Sequence, residues 1–457
     1  MIQYLLRKNL EIPFLIFHVI LGIVSTFTPY LLVFWVLAIM GTSFLDLNLK
    51  RNKNQIMTYT LAYLLGVEVF SRMARAPLTG LLPDEIGKYF PLFVLIAAFL
   101  LEGKIRQKGI GWWIIFLTLP SLMLIEGQYL RYGIVFNYLG IFNLALMILY
   151  FSEKVIDLKM LNKMFRLMLY PFISVAVFLF IRVPDYEDIE YKVGQASSFL
   201  TSGGYGPNQV ATTLGLGVLI IGYLYITKQR LFRIKYLDEF LFFVFLVRGL
   251  LTFSRGGIMV PIFCLVLFYI VNLLYKNKSR LRQRVKLKKI QTSQVVLALV
   301  GVVVIFMYAN NKTNGALLGR YKGDSAGTIA GTKEKDLNHM VSHRVEIAEM
   351  DIALWLQNPF LGVGPGMSKF TEGGHFGFGS HVEYSRMLAE HGVLGLFVLI
   401  IITFYPISYF RKIKDPYHKG LFAMFIALAI LTSFHAAMRT MVTPFFYGLA
   451  FAKFRIE

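Results

Sequence analysis

The chain has 457 residues, of which 56% are hydrophobic, 15% aromatic and only 16% charged. Soluble domains carry about 25% charged residues, so this composition excludes an ordinary soluble globular protein. The net charge of +21 comes from 47 Lys and Arg against 26 Asp and Glu. The basic residues cluster in short gaps between apolar runs, where they indicate contact with anionic lipid rather than with nucleic acid.

Apolar segments recur along the whole chain, and each is long enough to cross the ~30 Å hydrocarbon layer of a membrane as a helix. They predict an all-α integral membrane protein of about 12–14 transmembrane helices, organised as one polytopic domain over residues 1–457. The first apolar stretch has no small-residue cleavage site after it, which predicts a retained helical hairpin rather than a signal peptide. The segments lie near residues 10–27, 29–47, 55–71, 87–101, 110–126, 132–151, 164–182, 208–226, 237–253, 257–275, 291–309, 387–410, 420–436 and 440–453.

Basic residues concentrate in alternate gaps between these segments, around residues 50–53, 104–108, 228–235 and 276–289. Cytoplasmic gaps carry an excess of Lys and Arg, so this distribution predicts that both termini are cytoplasmic. Two longer gaps then fall on the opposite, external side of the membrane. They are a shorter loop at residues 183–207 and a long loop at residues 310–382. Loops of this length are uncommon unless they are functional or disordered, so we expect the active site on that face.

The residue types that several other chemistries need are missing or sparse. The sequence lacks the G-x-x-x-x-G-K-S/T phosphate loop of ATP-driven transporters, and Cys264 is its one cysteine. Carboxylates cluster at Asp185, Glu187, Asp188 and Glu190, a spacing that could hold a divalent cation but is more typical of a solvated loop. We therefore predict neither a metal centre nor a cofactor.

Two glycine-containing elements lie at the outer ends of predicted membrane segments. In Gly203–Asn208 the glycines allow a tight loop, and Pro207 can begin the next helix because its missing N–H is harmless there. In Thr252–Gly257, Arg255 stands at the outer end of one segment. A guanidinium at membrane depth is costly unless it meets an anion or a cavity, so Arg255 is a candidate anion-binding residue. The alternatives are a plain helix-start turn and an interfacial anchor.

A third element lies in the long loop. Apolar spacing over residues 344–355 predicts a helix against the membrane surface, which ends at Asn358–Pro359. The following segment, Gly362–Gly366, contains three glycines. We interpret it as a turn, because Pro365 would remove a backbone donor from any nucleotide-binding glycine loop.

A fourth element joins the long loop to the segment near residue 387. A His-x9-His-Gly-x2-Gly spacing runs from His381 through His391 to Gly395. Together with Gly-Pro-Asn, Ser-Arg-Gly-Gly and Asn-Pro-Phe-Leu-Gly-Val-Gly-Pro-Gly, in that order, it resembles the O-antigen ligase and Wzy-type polysaccharide polymerase superfamily of bacterial inner-membrane glycosyltransferases. The resemblance covers roughly residues 200–400 by motif.

This resemblance implies transfer of a glycan from undecaprenyl diphosphate to a hydroxyl, on the periplasmic face and without a metal. It implies that His381 is the general base, a role that suits the ordinary His pKa near 6.5. It also implies that Arg255 grips the diphosphate, since a guanidinium binds phosphate oxygens bidentately. Arg344 and Arg320 are candidates for further phosphate or sugar contacts. Loop-shaping roles are expected for Gly204, Pro207, Asn208, Gly364 and Gly366.

The sequence departs from the family at one point. Relatives often carry another functional arginine before the Gly-Pro-Asn element, where this chain has Phe199–Ser202. Arg72 could supply the missing diphosphate-binding charge, or could pair with Glu68 one helical turn earlier. Arg182 is a more distant substitute. Arg248, inside a membrane segment, could contact the diphosphate from the lipid side or pair with a buried acid.

The acceptor stays open at this stage. Another lipid-linked repeat would make the protein a polymerase, a lipid A core would make it a ligase of lipopolysaccharide biosynthesis, and a protein hydroxyl is the third possible acceptor. A different class, a flippase or secondary transporter of lipid-linked sugars, would also use many helices and an intramembrane arginine. Transporters are commonly built from repeated halves, which this sequence does not show, so we favour the enzyme. The expected partners are undecaprenyl diphosphate-linked glycan, an acceptor glycan or lipid A core and the lipid bilayer, without nucleic acid.

Overall fold

The computed structural model describes residues 2–49, 53–102, 109–152, 154–183, 197, 199–276, 287–289, 291–322, 344–371 and 382–455. Helices dominate these ranges, which confirms the predicted class of all-α integral membrane protein. The α-helices are α1 (Glu11–Val24), α2 (Tyr30–Leu49), α3 (Lys53–Met73), α4 (Ile86–Glu102), α5 (Ile110–Thr118), α6 (Leu139–Phe151), α7 (Leu158–Arg182), α8 (Pro207–Ile226), α9 (Leu237–Leu250), α10 (Arg255–Lys276), α11 (Thr292–Lys312), α12 (Ala316–Lys322), α13 (Arg344–Gln357), α14 (Glu383–Lys412), α15 (Pro416–Thr432) and α16 (Val442–Ala450).

Several of these helices are suited to a bilayer by length and composition. Within the described ranges, five helical stretches of eighteen residues or more are apolar enough to cross a membrane. They are Tyr132–Phe151, Leu158–Arg182, Leu200–Ile226, Arg255–Tyr275 and Glu383–Lys412. The long gap of the sequence contains the short helices α12 and α13, as predicted. The total number of membrane crossings and the side of each loop stay predictions.

The chain divides into two compact units, each assembled from segments that are distant in sequence. Unit 1 comprises Met1–Asp84, Lys159–Leu265 and Arg284–Met340. Unit 2 comprises Glu85–Leu158, Val266–Gln283 and Val341–Glu457. The single polytopic domain over residues 1–457 stays a prediction.

In unit 1, close approach of helix backbones is made possible by glycine. A Cβ at Gly257 of α10 would collide with Ala211 of α8, and a Cβ at Gly215 of α8 would collide with the Gly257 carbonyl. A similar contact joins α1 to α7, where a Cβ at Gly22 would lie 2.8 Å from the Ser174 carbonyl oxygen. Small residues allow such backbone contacts between apolar helices. The second glycine of the Ser-Arg-Gly-Gly motif therefore sets how closely α10 packs on α8.

In unit 2, α6 packs against α5 and α16 around a core that contains Phe151 and Phe445, whose ring centroids lie 5.3 Å apart. Two short parallel strands complete the unit, β1 (Val155–Asp157) and β2 (Lys453–Arg455). The helix α14 is broken at Gly392, whose φ of 61° and ψ of −143° are not helical. The glycine-rich segment that follows α13 packs into this break.

Candidate functional site

The Gly-Pro-Asn and Ser-Arg-Gly-Gly elements lie side by side in unit 1. Pro207 is the first residue of α8, as predicted, and Arg255 is the first residue of α10. The hydroxyl of Ser254 donates a hydrogen bond to the Asn208 side-chain oxygen at 2.8 Å. The hydroxyl of Thr201 donates to the carbonyl of Thr252 at 3.2 Å. The Ser254–Asn208 hydrogen bond thus joins side chains of the two elements directly, and Thr201, which precedes the first element, adds a second contact.

The turn before Arg255 has an uncommon backbone conformation. Phe253 has a φ of 60°, in the left-handed region that bulky residues rarely occupy. Such conformations persist only where the surrounding structure holds them, and they collect at functional sites. Arg255 itself is half-buried. It lies at a helix N-terminus, where backbone N–H groups and the helix dipole also favour an anion.

Arg72 reaches the same loop from α3. Its Nη1 donates to the Tyr205 hydroxyl at 3.1 Å, and its guanidinium lies 5.3 Å from the centre of the Tyr205 ring. Its Nε donates to the Asp84 carbonyl at 2.6 Å. Gly203 and Gly204 have φ values of 70° and 94°, which let the chain turn tightly next to Tyr205. Arg72 therefore lies at the Gly203–Asn208 loop of unit 1. Asn208, the last residue of this loop, is hydrogen-bonded to Ser254, which directly precedes Arg255.

The glycine-rich segment of the long gap lies in the break of α14. Val363 and Gly364 donate backbone hydrogen bonds to the carbonyls of Ala389 and Glu390, at 2.9 and 3.1 Å. In return Val393 donates to the Pro359 carbonyl at 2.7 Å. The segment therefore pairs with backbone groups that the broken helix leaves without partners.

Glycine is needed on both sides of this contact. Gly362, Gly364 and Gly366 have φ values of 68°, 95° and 76°. A Cβ at Gly362 would collide with the carbonyl of Ala389, and a Cβ at Gly392 would collide with the carbonyl of Phe360. The interpretation of residues 362–366 as a turn is confirmed, and the turn is packed against α14 rather than free in solvent.

Arg344 is the first residue of α13, which ends at Gln357 directly before Asn358–Pro359, as predicted. It is half-buried and lies near His435, in the turn that follows α15. Ser385 of α14 donates to Asp351 of α13 at 2.6 Å, which ties the two helices together.

The start of α14 contains a buried charged cluster that the sequence analysis missed. Glu383 accepts hydrogen bonds from Arg386 at 2.7 Å and from the Met438 backbone N–H at 3.0 Å. Arg386 also donates to the Asn137 side-chain oxygen at 2.6 Å. The predicted segment began near residue 387, but the helix begins at Glu383. Charges at positions 383, 386 and 390, spaced for one helix face, were the available signal.

His391, the second histidine of the fourth element, is packed in the interior of unit 2. His391 is buried, and its Nδ1 lies 2.6 Å from the Ser121 hydroxyl. One residue earlier, Glu390 accepts a hydrogen bond from the Ser368 hydroxyl at 3.1 Å. These contacts hold the broken part of α14 within unit 2.

Some predicted residues lie outside the described part of the chain. They include His381 and the carboxylates at positions 185–190. Arg320 belongs to α12, but its side chain also lies outside the description. Among the residues that the structure describes, no group of three or more His, Cys, Asp or Glu side chains is placed to hold a metal ion. The catalytic and binding roles assigned to individual residues stay predictions.

Comparison with known proteins identifies one family. Residues 240–400 match the family Wzy_C, described as O-Antigen ligase. The matched range begins in α9 and ends in α14, and it includes Arg255, Arg344 and His381, whereas Arg72 and Asn208 precede it. The curated proteins contain no match to the chain. Residues 240–400 are thus similar to the O-antigen ligase family, and this match confirms the resemblance to the O-antigen ligase and Wzy-type polymerase superfamily over that range.

Proposed function

We propose that the protein is a membrane glycosyltransferase that moves a glycan from undecaprenyl diphosphate to a hydroxyl acceptor. The product would be a surface polysaccharide or an O-antigen. The observation that carries this proposal is the O-antigen ligase match over residues 240–400. The apolar helices of the fold are in keeping with a substrate that carries a long hydrocarbon chain.

Arg255 is the residue proposed to bind the diphosphate. Its position at the first turn of α10 combines a guanidinium with a helix N-terminus, and both attract phosphate oxygens. Arg72 is proposed as the second cation, since it is oriented by Tyr205 at the Gly203–Asn208 loop. Both arginines would stabilise the negative charge that develops on the leaving diphosphate.

His381 is proposed as the general base. The acceptor hydroxyl gives its proton to the imidazole while its oxygen attacks the anomeric carbon of the donor sugar. The bond from the anomeric carbon to the diphosphate oxygen breaks, and undecaprenyl diphosphate leaves with that electron pair. A single displacement of this kind inverts the anomeric configuration, and none of its steps requires a metal.

A reconstituted assay tests this proposal. The purified full chain is mixed in detergent and EDTA with undecaprenyl diphosphate-linked glycan and either a lipid A core or a second lipid-linked glycan. We expect release of undecaprenyl diphosphate with transfer of glycan by the wild type, and loss of both with His381→Ala and Arg255→Ala. Arg411→Gln, at the exposed end of α14, removes a positive charge elsewhere and is the control.

The acceptor that becomes glycosylated distinguishes a ligase from a polymerase. If a folded His381→Ala variant transfers glycan normally, His381 is not the general base. If no acceptor is glycosylated, but intact lipid-linked glycan crosses vesicles that contain the protein, the function is transport and the proposal of an enzyme is wrong.

A further inference from the structure

Four aromatic side chains meet in unit 2, where two segments that are distant in the sequence come together. The rings of Tyr129 and Phe370 are stacked, with centroids 3.9 Å apart and an interplanar angle of 8°. Tyr132 meets Phe370 edge to face at 5.2 Å and stacks with Phe136 at 5.7 Å. Phe370 is 40% exposed, and the other three are half-buried. These side chains, called the aromatic cluster below, therefore present ring surface outside the core.

The backbone on both sides of the aromatic cluster is held in place. The N–H of Phe370 donates to the Met367 carbonyl at 2.8 Å. On the other segment, Tyr132 begins a π-helical stretch that ends at Tyr138, a conformation that is rare and frequent at functional sites. A Cβ at Gly366 would lie 3.0 Å from Cδ1 of Tyr132, so the two segments are in close contact. The rings are thus preorganised, which lowers the cost of ordering them around a ligand.

Polar groups border the aromatic cluster. The ammonium of Lys369 lies 5.2 Å from the ring centre of Tyr132 and 5.4 Å from that of Phe370. The connection between α5 and α6 carries the exposed residues Gln128 and Glu126, and the Gln128 amide donates to the Glu126 carboxylate at 3.0 Å. An ammonium donates hydrogen bonds, a carboxylate accepts them, and an amide does both. Ring faces and hydrogen-bonding groups of both kinds therefore lie close together.

This combination of groups matches a sugar. A sugar ring presents a face of C–H groups whose hydrogens carry partial positive charge, and such a face packs on the negative face of an aromatic ring. The hydroxyls at its edge both donate and accept hydrogen bonds. Ligand sites are commonly built in this way, from aromatic side chains and a few polar groups that fix orientation. A lipid acyl chain has no hydroxyls with which to bind the polar groups.

A chain of hydrogen bonds joins the aromatic cluster to the start of α14. The Asn137 side-chain nitrogen donates to the Tyr132 carbonyl at 3.1 Å, and the side-chain oxygen of Asn137 accepts from Arg386 at 2.6 Å. Arg386 is paired with Glu383, the first residue of α14. His381 precedes Glu383 by two residues in the sequence. The aromatic cluster is thus tied to the helix end that directly follows the proposed base.

We infer that the aromatic cluster binds a sugar residue of the acceptor glycan, which stacks on the rings while Lys369 and Gln128 bind its hydroxyls. The inference rests on the proposed function and deepens it. The acceptor is the substrate whose hydroxyl gives its proton to His381, so a site tied to the start of α14 suits the acceptor. It assigns a saccharide acceptor, a core or a lipid-linked repeat, in preference to a protein hydroxyl.

Binding of a lipid-free oligosaccharide tests this site without turnover. The full chain in detergent is mixed with delipidated core oligosaccharide of lipopolysaccharide, or with a repeat oligosaccharide released from surface polysaccharide. Saturation-transfer difference NMR then records which sugar protons contact the protein. We expect C–H protons of at least one of the two oligosaccharides to receive saturation from the wild type.

Leucine variants separate ring stacking from simple apolar contact. Tyr129→Leu and Phe370→Leu remove a ring but keep an apolar side chain, so an interfacial contact with the bilayer would survive them. We expect each to weaken oligosaccharide binding about three- to tenfold, as for the loss of one aromatic contact. Tyr129→Phe keeps the ring and should retain most of the binding.

Phe360→Leu is the matched control, because Phe360 is 77% exposed and lies outside the aromatic cluster in the same unit. It should bind like the wild type. The inference is overturned if neither oligosaccharide binds the wild type, or if folded Tyr129→Leu and Phe370→Leu bind as well as it does. An equal loss in Phe360→Leu would also overturn it, since the effect would then not belong to the aromatic cluster.

Kinetics distinguish a failure of this inference from a failure of the proposed function. In the transfer assay, Tyr129→Leu and Phe370→Leu should raise the KM for the acceptor about three- to tenfold and leave the KM for the donor unchanged. Ring-dependent binding of oligosaccharide without glycan transfer by the wild type would overturn the proposed enzyme and leave the sugar site standing. Transfer with an acceptor KM that neither variant changes would do the reverse.

Discussion

Glu383 and Arg386 form a buried ion pair within the first turn of α14, in which Arg386 Nη2 lies 2.7 Å from each carboxylate oxygen. The pair also binds the Met438 N–H and the Asn137 side chain, so it joins three separate segments of unit 2. In sequence it begins two residues after His381. The start of α14 is thus fixed by charges two residues after the proposed base in the sequence.

Loss of one partner of this pair should strongly destabilise the protein. Arg386→Gln would leave the Glu383 carboxylate buried without its counter-charge, which typically costs 3–5 kcal/mol. Thermal unfolding in detergent would show a lower Tm than for the wild type. Arg411→Gln, an exposed residue of the same helix, should leave the Tm nearly unchanged. Equal Tm values for both variants would mean that the pair does not stabilise the fold.

The contact between Gly392 and residues 360–362 should not tolerate a methyl group. Gly392→Ala forces an alanine into a positive-φ conformation that is essentially restricted to glycine and adds a collision with the Phe360 carbonyl, which together should cost at least about 1–3 kcal/mol. Gly41→Ala is a suitable control because a Cβ there meets no atom within 4 Å. In the helix α2 that change should be neutral or stabilising. Unfolding followed by circular dichroism distinguishes the two variants, and a Gly392→Ala protein as stable as the wild type would contradict the close approach.

The bond between Ser254 and Asn208 should be measurable as a coupling energy. In a double-mutant cycle, Ser254→Ala and Asn208→Ala remove the two partners, and we expect a coupling of about 0.5–1.5 kcal/mol in unfolding free energy. Thr42→Val combined with Asn208→Ala is the control, because the Thr42 hydroxyl bonds to carbonyls of its own helix. Additive effects in both cycles would show that the two motifs are not coupled.

Arg72 should contribute to donor binding through its orientation by Tyr205. Arg72→Gln should weaken binding of undecaprenyl diphosphate by about tenfold or more, as expected for a lost charge-assisted hydrogen bond. Tyr205→Phe keeps the ring beneath the guanidinium and loses only the hydroxyl, so its effect should be smaller. Arg75→Gln removes the same charge from an exposed position nearby in the chain and is the matched control. If Arg75→Gln weakens binding as much as Arg72→Gln does, general electrostatics rather than a specific contact is responsible.

The sequence predicted much of the fold because apolar segments and helix-ending residues are local signals. Pro207 began a helix, and the helix from Arg344 ended before Asn358–Pro359, as their types require. The cluster at Glu383 was missed because a hydropathy pattern treats charges as loop, whereas here each charge has a buried partner.

Contacts between segments that are distant in the sequence could not be predicted, because the available sequence signals are local. Gly362–Gly366 reads locally as a turn, and nothing in its residues shows that it would pair with a broken helix around Gly392. Likewise, Arg72 and Glu68 are well spaced for a helical pair, but the contact of Arg72 with Tyr205 depends on a loop far along the chain. Motif order predicted the family, and tertiary contacts determined which motif residues support one another.

The short parallel pair of β1 and β2 has a consequence for biosynthesis. Val155 pairs with Lys453 and Asp157 with Arg455. During translation, residues 155–157 can therefore form this strand pair only after the ribosome has synthesised helices α7–α16 and then residues 453–455. Unit 2 is closed by a segment that is synthesised long after residues 155–157, so a translation product that stops before residue 453 leaves this strand edge exposed to chaperones and proteases.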